Sequence, residues 1–202
     1  MKVGFIFECA IGGPDERVYS YLAKHFCSSI TPMPLCKTNK KNLKDECAND
    51  VRILLKGGCK KVVIIWDKMP PWGGAADCKR DKADIKRKLK NEGMTNFKDI
   101  FLLCIDEELE SWMISDGRAF SHYFQSFSTK RLVDFPDYKS KVQQKNAKSK
   151  IWKYNGKYNE FTDAIKVVKI FVEQGFGFDR IMKRNKSFNE FAHTIEVLCK
   201  AA

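Results

Sequence analysis

Short apolar runs separated by segments of helical spacing constrain this chain more than any other feature. Val3 to Glu8 (VGFIFE), Lys61 to Trp66 (KVVIIW) and Ile100 to Ile105 (IFLLCI) are too short for core helices and rich in β-branched or aromatic residues, which predicts buried strands. Gly12, Gly13 and Pro14 close the first run, and Asp67 ends the second before MPPWGGAAD, which cannot continue regular structure. Between the runs, Val18, Tyr21, Leu22 and Phe26 recur at helical spacing after Asp15, a candidate cap. From Asn42 to Leu55 the same spacing returns until Gly57-Gly58 stops it. Ile30 to Leu35 predicts an edge strand, because Pro32 and Pro34 cannot donate to a central ladder. Asp81 to Leu89 predicts a highly basic helix, and Glu107 to Ser115 the start of another. Strand–helix alternation of this kind predicts an α/β fold: a mainly parallel, Rossmann-like sheet with helices on both faces and all strand C-termini on one edge.

Past Phe120 the sequence turns polar and lysine-rich, most densely from Lys139 to Lys157, before helical patterns around Ala164–Phe171 and Phe188–Leu198. The expectation is an α/β part over 1–120 and a lysine-rich connection with C-terminal helices over 121–202, packed on it as a single structural unit. With 202 residues, 44% of them hydrophobic, the chain is long enough for a full core. A formal net charge of +12 favours an anionic partner such as nucleic acid or a phosphorylated ligand, the alternative being a solvated basic surface with no partner. The eight cysteines are scattered without a CxxC or a Cys/His cluster, which predicts free thiols, no zinc site and no disulfides, hence a reducing cytoplasm. The N-terminal apolar run is too short for a signal peptide and no stretch is long enough to span a bilayer, so no membrane partner is expected.

Acidic residues fall where the sheet edge should be: Glu8 after the first strand, Asp67 after the central one, and Asp106, Glu107, Glu108 and Glu110 after the third. In open α/β sheets, ligands bind outside the carboxyl ends of the strands. Carboxylates converging there make a hard-oxygen site suited to Mg²⁺ or Mn²⁺ and to phosphodiester cleavage. The competing reading, helix caps and charges at helix N-termini, accounts for Asp15 and the Asp106–Glu108 run.

Glu8 between an apolar strand and a Gly-rich turn, with Val62-Val-Ile-Ile-Trp-Asp67 much later, resembles the TOPRIM domain of topoisomerases, primases and OLD-type nucleases. Glu110-Ser-Trp112-Met-Ile-Ser-Asp116 is similar to the E-x-W-x-x-x-D signature of a small TOPRIM-like bacterial family found among phage-defence genes, as are Tyr158 before a helix and Ser187-Phe188 opening the last one. The resemblance implies a TOPRIM-like nuclease or toxin-like effector in anti-phage defence, dependent on Mg²⁺ or Mn²⁺, acting on DNA or RNA and working with a separate ATPase. Glu8, Asp67 and Glu110 would be catalytic, and Glu8, Asp67, Glu108 and Glu110 the metal ligands. Met69 stands where the family's second DxD aspartate would be, and a thioether is a poor ligand for a hard cation. Either Asp77 or Asp81 replaces it, or Glu108 or Glu110 completes the site, or metal binding is degraded. The last alternative describes a catalytically inactive module that regulates a partner ATPase or senses a phage component.

For nucleic acid, the candidates are Arg80, Arg87 and Lys88 on the basic helix, Arg118, and Trp72 between prolines and glycines. Trp66 and Trp112 are expected in the core, Glu110 facing the acidic cluster, and Asp116 bracing the Gly117-Arg118 turn. Neither a P-loop ending, a dinucleotide fingerprint nor a nucleophilic triad is present.

Overall fold

The structure is a computed structural model that describes residues 1–71, 77–128 and 133–201. Contacts divide the chain into two units, Met1–Asp106 with the segment from Glu190 onward, and Glu107–Asn189.

The first unit holds a four-stranded, all-parallel sheet in the order β2-β1-β3-β4. Its strands are β1 (Lys2–Phe7), β2 (Thr31–Cys36), β3 (Lys61–Asp67) and β4 (Ile100–Ile105). Helices α1 (Pro14–Phe26), α2 (Lys40–Lys56) and α3 (Cys78–Asn91) connect them. The α/β, Rossmann-like class follows from this topology. Period-two alternation sorts the strands into two apolar faces. Ile6, Val62, Ile64, Trp66 and Cys104 join the buried faces of α2 and α3 in one cluster. On the other face Phe5 and Phe7 stack with each other, and Phe7 with Tyr19 of α1. Tyr19 meets Phe191 in the unit's share of the last helix, α10 (Lys186–Lys200).

β2 is an edge strand as its prolines require. Thr31 and Lys37 donate backbone bonds to β1 at Met1 and Phe7, so by alternation Pro32 and Pro34 turn their ring nitrogens away from the ladder. A Cβ on Gly4 would lie 2.7 Å from Leu54 Cδ1, so the glycine in β1 lets α2 close onto the sheet.

Two expectations need correction here. The cap of α1 is Gly13, with Pro14 opening the helix, and Asp15 lies buried in the first turn, where its charge favours the helix N-terminus without capping it. The cysteines are not all thiols: Cys27 is bonded to Cys199 and Cys78 to Cys104, each pair with Cα atoms 5.7 Å apart. Both pairings join residues that only the fold brings together, which spacing along the chain does not reveal. The step from scattered cysteines to a reducing compartment thereby loses its support. Among the described residues no helix is long and apolar enough to cross a membrane.

The second unit is helical: α4 (Glu110–Met113), α5 (Arg118–Gln125), α6 (Lys141–Gln144), α7 (Ala147–Tyr154), α8 (Glu160–Glu173), α9 (Asp179–Arg184) and the first residues of α10. The helix expected over Glu107 to Ser115 is only one turn long, because the chain bends at Asp116 and Gly117. A Cβ on Gly117 would sit 2.2 Å from the Phe135 carbonyl, so the bend needs glycine. Trp112 is buried as expected, its indole N–H donating to Ser187 Oγ at 2.8 Å and its ring edge-on to Phe188. Asp116 braces the turn as expected, accepting from the Arg118 backbone and guanidinium.

Candidate functional site at the sheet edge

β1 and β3 are neighbours in register, Phe7 beside Ile65, and the chain runs from β1 out to β2 before returning to β3 on the other side. The crevice between their C-terminal ends is therefore the topological switch point, where connections leave in opposite directions. Glu8 directly follows β1, and Asp67 is the last residue of β3. Both predicted site residues therefore stand at the rim of that crevice.

Two further charged residues converge there. Lys40 opens α2, whose N-cap Asn39 accepts from the Asn42 backbone at 2.8 Å, and its side chain turns inward to become buried. Its ammonium donates to the Pro70 carbonyl at 2.6 Å, tying α2 to the segment after β3. Burial lowers the pKa of Lys40, while the charges of Glu8, Asp67 and Asp81 oppose that fall. Asp81, in the first turn of α3, is 1% exposed. Burial pushes its carboxyl above its ordinary range, against the pull of the Lys40 ammonium, the Trp66 indole N–H and Arg80. Neither Asp81 oxygen accepts a well-aligned hydrogen bond: the indole is near enough to favour the carboxylate but does not reach it in good geometry. Of the replacements for Met69 open from the sequence, Asp81 is thus one that shares this charge cluster, while Asp77 is the exposed N-cap of α3.

The donor chemistry, three hard carboxylates and an orphaned buried pair of oxygens, suits Mg²⁺ or Mn²⁺. Among the described residues, however, no group of three His, Cys, Asp or Glu side chains stands close enough together to hold a metal ion. The three carboxylates are spread about Lys40, whose positive charge they share.

Glu108 and Glu110 belong to the second unit and form a cluster of their own there. Glu110 is fully buried and accepts from the Tyr158 hydroxyl at 3.0 Å, and burial raises its pKa to about 7. Lys148 pairs with Glu160, with Glu110 at 3.8 Å and with Glu108 at 3.9 Å. Burial works against its charge, yet the surrounding carboxylates raise its pKa. The backbone N–H of Lys148 also donates to Glu108 Oε1 at 2.9 Å. Sequence reasoning missed Lys40, Lys148 and Glu160. Lys40 carries no sequence signal, since nothing separates an inward lysine at a helix start from the solvated lysines around it.

Of the candidates for nucleic acid, those on α3 belong to the first unit and Arg118 to the second. On α3, Arg87 pairs with Asp84 at 2.7 Å and Lys88 with Asp45 at 3.6 Å, and Arg80 is half-buried. Arg118 is committed to Asp116, to the Phe176 carbonyl at 3.1 Å and to the Phe176 ring. Trp72 lies outside the described residues. Compared with protein-family models, with curated proteins and with solved structures, the chain matches none.

Proposed function

We propose that the crevice between β1 and β3 is a phosphodiester-hydrolysis site assisted by Mg²⁺ or Mn²⁺, and that the chain is a nuclease or nuclease-like effector. The observation that carries this reading is the convergence of Glu8, Asp67 and Asp81 on one buried lysine at the switch point of the sheet. Glu8 and Asp67 would hold the cation, with Asp81 in the role that Met69 cannot fill. Held by these carboxylates, a divalent cation would supply Lewis-acid chemistry toward a phosphate and a water. Lys40 keeps the carboxylates compensated when the cation is absent, and its ammonium can then face a phosphate oxygen. A bacterial anti-phage role with a separate ATPase is part of the same proposal and rests on the resemblance of Glu8, Asp67 and the E-x-W-x-x-x-D segment; a cytoplasmic setting rests on the short N-terminal apolar run.

One observation favours a second reading. Lys40 already supplies a positive charge to the cluster, and no three carboxylates meet at ligand range among the described residues. On that reading the edge is catalytically inert and the chain is a binding module that regulates or senses a partner.

Melting in Mn²⁺ separates the two, because a ligand bound only by the folded state raises apparent stability. The nuclease reading expects Mn²⁺ to raise the Tm of the wild type, Glu8→Gln and Asp67→Asn to remove that rise together with nuclease activity, and Lys40→Gln to enlarge it. Lys40→Gln should also lower metal-free stability by ~3 kcal/mol, the order of cost for stranding buried charge. No Mn²⁺ shift in either the wild type or Lys40→Gln would leave the inert module standing.

A further inference from the structure

Helix α7 and the turn into α8 carry a feature that the sheet edge does not use. Between Lys139 and Lys157 the chain has seven lysines and no Asp or Glu. Lys139, Lys145, Lys153 and Lys157 are exposed, and among the described residues no carboxylate pairs with them. On the same helix Ala147 and Ile151 are buried in the unit's core, whereas the Trp152 indole is 63% exposed. The exposed Trp152 ring offers a large apolar face beside three lysines of the same helix, and covering so large a ring is strongly favourable.

Beside Trp152 lies a cavity of about 330 Å³ lined by Lys148, Ser149, Trp152, Tyr158 and Glu160. Its polar wall is held in place from behind. The Tyr158 hydroxyl is anchored on Glu110, and Lys148 is neutralised by Glu108, Glu110 and Glu160, so Lys148 orients the wall without offering a spare charge. One aromatic face and a few fixed polar groups at its edge, with the exposed Lys153 and Lys157 one and five residues along the chain from Trp152, together suit a planar, hydrogen-bonding ring carried on a polyanion. A duplex does not satisfy this arrangement, since its bases are stacked on each other and paired.

We propose that this cavity is a base-stacking site for single-stranded nucleic acid: one base lies on the Trp152 indole with its edge toward Ser149 and Glu160, and the flanking phosphates run over Lys153 and Lys157. The site needs no chemistry at the sheet edge, so its test is run on the full chain in EDTA, where the metal reading has no bearing. Anisotropy of labelled single-stranded RNA, single-stranded DNA and a duplex is titrated over a range of salt, with unlabelled mononucleotide as competitor. Trp152→Ala is expected to weaken single-strand binding about tenfold or more with an unchanged salt slope, and Trp152→Phe to keep most of the affinity. Lys153→Gln with Lys157→Gln is expected to flatten the slope by roughly 0.7 for each lost phosphate contact. Trp152 is exposed, so these variants should melt like the wild type. Equal binding by Trp152→Ala and wild type, a duplex bound as tightly as the single strand, a mononucleotide competing as well as the strand, or no binding at all would each overturn the proposal.

Discussion

Two buried acids illustrate how position decides the behaviour of a side chain. Asp81 and Glu110 are each about 1% exposed, and burial raises both, but their compensating partners differ. Asp81 faces a lysine and an indole N–H across imperfect geometry, whereas Glu110 receives a phenolic hydrogen bond with Lys148 close by. For Glu110 the consequence is a measurable pH dependence. Its folded-state pKa of about 7 lies above the ordinary 4.5, so between those values the native state binds more protons than the unfolded chain. Its contribution is fully present below about pH 4.5 and is lost as pH rises toward 7, a fall of about 3 kcal/mol over the window. The stability difference between wild type and Glu110→Gln, followed by chemical denaturation from pH 4.5 to 8, should therefore shrink or reverse with rising pH and level off above 7. Parallel curves would show that Glu110 is ionised in the fold.

At the scale of elements, α3 and α7 are both lysine-rich but differ in how their charge is spent. On α3, Arg87 and Lys88 already face Asp84 and Asp45, Asp84 also meets Lys44, and Lys82 meets Glu190. Such exposed pairs stabilise the fold little, yet they lower the local field that a polyanion would meet. Around α7, Lys139, Lys145, Lys153 and Lys157 pair with no carboxylate among the described residues, while Lys148 is held by Glu108, Glu110 and Glu160. Replacing Arg80, Arg87 and Lys88 together with Gln should accordingly change the salt slope of nucleic-acid binding by less than one unit, against a larger change for Lys153 and Lys157. The slope from titrations at several salt concentrations checks this, and a larger loss from α3 would shift the main phosphate contacts to that helix.

Over the whole chain, the Cys27–Cys199 bond ties the end of α1 to the end of α10 within the first unit, across a sequence separation of 172 residues. Closing so long a loop restricts the unfolded chain, and the entropic estimate is ~5 kcal/mol before native strain is counted. Cys199→Ser, or reduction of the wild type, should lower the denaturation midpoint by a corresponding amount without altering the native far-ultraviolet signal. An unchanged midpoint under reducing conditions would mean that the bond does not form in solution. The same bond is why scattered cysteines do not by themselves locate the protein.

The sequence alone determined the alternating architecture. Lys61 to Asp67 reads as a strand because β-branched residues suit a sheet buried on both faces, Pro32 and Pro34 mark an edge because they lack a donor, and Glu8 and Asp67 fall at strand ends because those runs stop there. Helix α7 was not legible, since it has only Ala147 and Ile151 on its buried face, too few to stand out against its lysines. Tertiary structure decided what the charges do. Lys40 joins Glu8, Asp67 and Asp81 only because α2 crosses back over β1 and closes onto Gly4, and Glu110 meets Tyr158 and Lys148 only because α4 packs on α7 and α8. Periodicity records which face of an element is apolar. Which polar groups meet depends on how the elements pack, and that information is not local to any stretch of the chain.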